Sequence, residues 1–228
     1  MGTLSNDVLG QTRLIKTVFS SLENHYGYFD WWPDTPPYQT MLGTILVQNT
    51  NWKNADKALN NLGKAANDPQ LIEQLPLDEL ALTIRPSGYF NQKAIKLKAL
   101  TEWFKNYQYD IKQVRAIELS TLRKELLAIK GVGGETADAI LVYAIGKPSF
   151  VIDAYARRIF ERNGLEVPKS YEKFRLLVEQ AIPADTKRYA FYHGLMVEHG
   201  QQFCNKTPRC TSCPLSSSCV TGKQNNAR

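Results

Sequence analysis

The first 203 residues contain no cysteine, and the four that the chain has are crowded between Cys204 and Cys219. A disulfide-stapled secreted domain spreads its cysteines along the chain, so this distribution excludes that class and points to a metal site. Long apolar runs are missing as well: none approaches the roughly 20 residues that a membrane-spanning helix needs. The opening stretch MGTLSNDVLGQTRLIK lacks the basic-then-apolar order of a secretory leader. There is no internal repeat, and no low-complexity stretch apart from the polar tail after Cys219. β-Branched runs such as Phe150-Val151-Ile152 stand isolated, so no sheet can be assembled from them. Hydrophobic residues make up 43% and charged residues 22%, an ordinary globular balance. A soluble, cytoplasmic, monomeric protein without a membrane partner is expected. The net charge of +6 and pI of about 9.1 favour a polyanionic partner without naming one.

What is present is helical periodicity. Leu14, Val18, Leu22 and Tyr26 share one helix face, as do Leu97, Leu100, Trp103, Phe104 and Tyr107. Prolines and glycines divide the rest into helical segments over Tyr38–Val47, Asn51–Leu62, Leu77–Ile84, Gln92–Tyr107, Leu119–Ile129, Glu135–Ala144, Ala154–Asn163, Tyr171–Ala181 and Thr186–His199. An all-α architecture is expected.

The segment Leu126–Phe160 carries the most information. An apolar helix ends at Ile129, Lys130-Gly131-Val132-Gly133-Gly134 turns, and a second apolar helix starts near Thr136. Glycines allow a tight turn with exposed backbone N–H groups, and the helix start adds partial positive charge. Together they can hold a phosphate without reading a base. A glycine-rich connector between packed helices explains the same residues. Pro148 and Phe150-Val151-Ile152 then lead to Asp153, which opens the next helix. Asp153 suits an N-cap, and a carboxylate there can also stabilise positive charge on a sugar and position a water.

The cysteines are spaced C-x5-C-x2-C-x5-C across Cys204, Cys210, Cys213 and Cys219. Four thiolates suit either tetrahedral zinc or an iron–sulfur cluster. Zinc sites usually pair two close knuckles, whereas only Cys210 and Cys213 form one here. Lys206 and Arg209, inside the first cysteine loop, either meet phosphates or are merely solvated.

A hairpin, a Gly/Pro loop and an aspartate in this order resemble the helix–hairpin–helix signature of base-excision DNA glycosylases in the endonuclease III superfamily. The resemblance spans nearly the whole chain, including Leu46-Val47-Gln48-Asn49-Thr50 and the cysteine tail. It implies a two-lobed all-α fold: a helical barrel with the hairpin over residues 29–147, and a cluster lobe from residues 1–28 and 148–228. It implies a [4Fe–4S] cluster on the four cysteines, although the first spacer is one residue shorter than the family's commonest. Such a cluster carries about −2, which lowers the net charge to about +4. The implied partner is double-stranded DNA containing damaged bases, held between the lobes with the base flipped out. Gly131, Gly133, Gly134, Thr136, Lys130, Lys206 and Arg209 would face phosphates. Gln48 would enter the gap left by the base, or simply cap its helix end.

One departure bears on the chemistry. Bifunctional relatives carry a lysine in a GVG-x-K-T-A pattern, and here that position is Glu135, which cannot form a Schiff base. Hydrolysis assisted by Asp153 without strand cleavage is expected, with Lys130 a weak substitute amine. Trp31-Trp32-Pro33, Arg85–Ala94 and Glu135–Ile140 further resemble the superfamily's 3-methyladenine DNA glycosylases, whose aromatic pocket receives an alkylated base. Trp31, Trp32 and Trp52 occupy similar positions; each is equally explicable as a core residue. The alternatives are a glycosylase for oxidised pyrimidines or mismatched bases, and a silent binder of damaged DNA. His193 and His199 are expected to be structural, and Asp138 merely solvated.

Overall fold

The computed structural model describes residues 6–32 and 34–227. Residues 1–5, Pro33 of the Trp-Trp-Pro run and Arg228 lie outside the described residues. Among the described residues the elements are all helices, with no strand. The chain divides into two compact units, Met1–Pro33 with Ser149–Arg228, and Asp34–Pro148.

The Asp34–Pro148 unit holds α2 (Pro37–Leu46), α3 (Trp52–Leu62), α4 (Pro69–Gln74), α5 (Leu77–Thr83), α6 (Phe90–Lys105), α7 (Ile111–Ala116), α8 (Leu119–Ala128) and α9 (Gly134–Ala139). Proline at the start of α2 costs nothing, because that N–H has no helical partner. Asn51 caps α3 by accepting from Asn54 N–H. Met41, Leu42 and Ile45 of α2, Leu97 and Leu100 of α6, and Leu126 of α8 are fully buried together. Each such side chain contributes about 1.5–3 kcal/mol on removal from water.

α8, the turn Ile129–Gly133 and α9 form the expected hairpin, with Gly131 at φ +88°. Arg123 on α8 donates through Nε and Nη2 to the two carboxylate oxygens of Asp138 on α9, at 2.8 and 3.2 Å. Asp138 is fully buried, so the expectation of a solvated residue is corrected: it is half of an internal ion pair joining the hairpin helices. The second hairpin helix also differs from expectation. It is α-helical only to Ala139 and continues as a π-helix over Ile140–Ile145, stopped by Gly146 at φ +84°. Arg115 holds the last carbonyl of that turn, donating to Ile145 O at 2.9 Å.

The other unit contains α1 (Asn6–Tyr26), α10 (Ala154–Asn163), α11 (Tyr171–Ala181), α12 (Thr186–Gln202) and α13 (Val220–Asn226). Phe19 of α1 meets Phe150 and Phe160 edge-on at 5.8 and 5.6 Å and stacks on Tyr192 at 4.2 Å. Offset and edge-on contacts of this kind are the favoured aromatic geometries. The break between units falls at Pro33, not at residue 29. Phe29 packs edge-on against Phe191 of α12 at 5.3 Å, which keeps that segment with α12. The tail after Cys219, which reads as polar and low in complexity, is the helix α13: Cys219 Sγ accepts from Gly222 N–H at 3.4 Å and caps it.

Candidate functional site

In the Asp34–Pro148 unit the hairpin glycines are presented outward. Lys130, Gly131 and Gly133 are exposed, as is Glu135, while Thr136 is buried. Gly131 has two reasons to be glycine. Its φ is left-handed, and a Cβ there would come within 2.4 Å of Lys96 Cε. At Gly133 a Cβ would meet nothing within 4 Å, so that face is open.

Gln48, just past the end of α2, is tied to the hairpin. Its Nε2 donates to Thr136 Oγ1 at 2.9 Å and to Gly131 O at 3.3 Å, and its Oε1 accepts from Lys96 Nζ at 2.7 Å. These side-chain bonds run to the hairpin and to Lys96, not to the carbonyls that end α2. Lys96, which lies across Gly131, is a participant that the sequence did not suggest.

Lys93 was equally hidden. It is buried, and its Nζ donates to Leu46 O at 2.8 Å and Ser87 O at 2.7 Å, tying the end of α2 to the turn that precedes α6. Burial, with the nearby charge of Lys96 second, pushes its pKa down from 10.5 to about 8. Between these values the unfolded chain binds more protons than the folded one, so stability must rise with pH there. Urea unfolding should show the wild type gaining on Lys93→Met as pH is raised from about 8 to about 10.5. A gap that stays flat would mean that the ammonium is not desolvated. Trp52, at the start of α3, is 37% exposed and its ring lies against Gly43 of α2.

In the other unit, Asp153 follows the buried run Phe150–Ile152 and caps α10, its Oδ1 accepting from Ala156 N–H at 2.7 Å. The N-cap role is thus present. Its Oδ2 faces His193 Nε2 on α12 at 3.5 Å, with both side chains only 11% exposed. Beside His193, Trp31 lies directly on Gly194. Trp31 and Trp32 are partly buried, and Trp31 Nε1 is a buried donor with no acceptor among the described residues.

The cysteines follow α12, and none forms a disulfide. Every sulfur has an N–H group beside it. Arg162 Nη1 donates to Cys204 Sγ at 3.3 Å, Asn225 Nδ2 to Cys210 Sγ at 3.3 Å, and Gly222 N–H to Cys219 Sγ. His199 Nε2 is 3.6 Å from Cys213 Sγ. Burial, with the charge of His25 second, pushes the His199 pKa down to about 4, which keeps its ring neutral. Burial also pushes the Cys213 and Cys219 thiols up. Arg162 further donates to Asn205 O and Lys206 O, and Arg158 Nε to Cys204 O at 2.6 Å, so α10 organises the first cysteine loop. Lys206 and Arg209 are exposed on that loop. The donor set is all sulfur, and N–H groups at each sulfur are what thiolates bound to iron need. Among the described residues no three His, Cys, Asp or Glu side chains form a group that could hold a metal ion.

The Methanocaldococcus jannaschii protein named "Putative DNA repair glycosylase" is 38% identical over 91% of this chain and 96% of its own length. Among solved structures, H. pylori 3-methyladenine DNA glycosylase bound to 1,N6-ethenoadenine matches with a TM-score of 0.71 at 28% identity, over 84% of this chain and 97% of that one. An endonuclease III in a non-covalent DNA complex matches in fold with a TM-score of 0.79 at 22% identity, over 95% of this chain and 99% of that one. The family model for HhH-GPD superfamily base excision DNA repair proteins matches residues 42–184, and the chain belongs to that family.

Proposed function

We propose that this glycosylase hydrolyses the N-glycosidic bond of alkylated purines, 3-methyladenine being the type, in double-stranded DNA. The observation that carries the reading is that an indole and a carboxylate pack on consecutive residues of α12, Trp31 against Gly194 and Asp153 against His193. The likeness to H. pylori 3-methyladenine DNA glycosylase supports it. A flipped methylpurine is cationic, and stacking on an indole adds about 0.5–2 kcal/mol where water is excluded. As the C–N bond breaks, its electron pair leaves with the base, which becomes neutral. Positive charge then develops on the sugar, and the Asp153 carboxylate stabilises it. Water adds at the sugar carbon and gives up its proton to that carboxylate. Trp32 joins Trp31 in the base pocket in this proposal.

Gly131, Gly133, Gly134, Thr136 and Lys130 at the hairpin, with Lys206 and Arg209 on the cysteine loop, would meet DNA phosphates. Gln48 would serve the gap left by the base. Cys204, Cys210, Cys213 and Cys219 would hold a [4Fe–4S] cluster, which when bound ties four positions of the C-terminal loop together. No helix among the described residues is long and apolar enough to cross a membrane.

The test is a set of duplexes bearing an alkylated purine, an oxidised pyrimidine or a mismatch, beside an undamaged control. Alkylated purine should be released fastest. Strands should remain whole until hot alkali is added, and borohydride should trap no covalent adduct, because Glu135 stands where a lyase needs an amine. Efficient release of the oxidised pyrimidine with inert alkylpurine would transfer the assignment to that substrate class. A trapped adduct would reveal lyase chemistry, and Lys96 and Lys130 would then be the amines to replace.

A further inference from the structure

We propose that His193 and Gly194 form a two-residue seat on α12 that holds the carboxylate of Asp153 in register with the indole of Trp31. In this seat His193 is a positioning residue for the carboxylate, and Gly194 sets where the base-stacking face lies. The proposal rests on the reading of Asp153 and Trp31 given above. Consecutive helix residues are fixed by about a 1.5 Å rise and a 100° turn, so what they hold is fixed with them.

The carboxylate is held at both oxygens. The Ala156 N–H engages Oδ1 at 2.7 Å, and a cap alone would leave the other oxygen free to swing. His193 Nε2, 3.5 Å from Oδ2, closes that freedom at an almost buried position. Gly194 holds the indole by having no side chain. A Cβ there would sit 2.6 Å from both Cβ and Cγ of Trp31 and 2.9 Å from its Cδ2. These atoms adjoin the Trp31 backbone, so the ring cannot turn aside, and the segment carrying it would have to shift.

Gly200, six residues further along α12, does the same for the other partner. A Cβ there would lie 2.2 Å from Cδ1 of Tyr155, in the first turn of the helix that Asp153 caps. Glycine inside a helix weakens the helix itself. Bare backbone at both places is explained by close approach, of Trp31 at one and of α10 at the other. Displacing reacting groups by about 1 Å is enough to cost on the order of 100-fold in rate.

The experiment measures single-turnover base release from whichever duplex of the substrate set is excised fastest, together with affinity for an abasic duplex and the thermal midpoint. Gly194→Ala should slow release by about 10-fold or more with abasic affinity within about twofold. In a Trp31→Gly background, which removes the clashing Cβ as well as the ring, Gly194→Ala should add nothing. The same double variant covers the case in which Gly194→Ala alone fails to fold: recovery of the fold there supports the seat. His193→Ala should slow release, His193→Gln should restore part of it, and neither should matter further in Asp153→Asn. Wild-type release by Gly194→Ala, or an equal loss with and without the indole, overturns the seat. If Asp153→Asn and Trp31→Gly both release base at the wild-type rate, the reading of the site itself fails, and the parent variants show it.

Discussion

Asp153→Asn should lower the single-turnover rate of base release by about 100- to 1,000-fold while duplex affinity stays within about twofold. The charge that Asp153 would oppose exists only as the glycosidic bond breaks, so its loss acts on the chemical step and not on binding. Removing a negative charge near phosphates can only help the bound state. The structure also removes the usual objection, that such a variant merely damages the fold. Oδ1 is the capping atom, accepting from Ala156 N–H, and asparagine caps about as well as aspartate. Its amide would stand where Oδ2 stands, opposite His193 Nε2. The thermal midpoint should therefore barely move. Full release of the base by this variant would make Asp153 a helix cap and nothing more.

The elements most legible in the sequence are those that carry their own punctuation. α10 and α11 run over the expected residues because Asp153 and Ser170 cap their starts, and Gly164 at φ +99° ends the first of them. α4 and α7 were missed. Each has six residues, too few for an apolar period, and only their caps, Asp68 and Asp110, announce them. The π-helix after Ala139 leaves no mark, since the apolar run Ile140–Ile145 reads the same for either winding. The candidate site divides in the same way. Asp153 and the cysteines stand out by position and spacing. Their partners do not: Lys96 reaches Gln48 across 48 residues, and His193 faces Asp153 across 40. Pairings at such separations arise from helix packing, which local pattern does not encode. Gln48 shows the cost. The sequence offers a helix cap or a gap-filling side chain, whereas the folded chain ties its amide to the hairpin itself.

Cys213→Ser should abolish the proposed cluster and with it the order of the C-terminal loop. The wild-type protein is expected to be brown, with about four irons per chain. The variant should lose the visible absorption and most of the iron, because a serine oxygen is a hard donor where iron–sulfur chemistry requires a soft thiolate. The structural consequence follows from what the sulfurs support. α13 has only seven residues, well short of the length at which a helix stands alone in water, and it is capped by Cys219 Sγ and tied to Cys210 Sγ through Asn225. On the other side, Arg162 holds Cys204 Sγ together with the carbonyls of Asn205 and Lys206. Freeing one sulfur from the proposed cluster would loosen both anchors, so limited proteolysis should begin to cut after Phe203 while the Asp34–Pro148 unit stays intact. Lys206 and Arg209 lie on the loosened loop, so duplex affinity and its salt dependence should fall together, the slope losing about one unit for each phosphate contact given up. One zinc per chain with no visible absorption in the wild type would overturn the cluster. Protease resistance and unchanged salt slope in Cys213→Ser would show that the loop holds its shape without it.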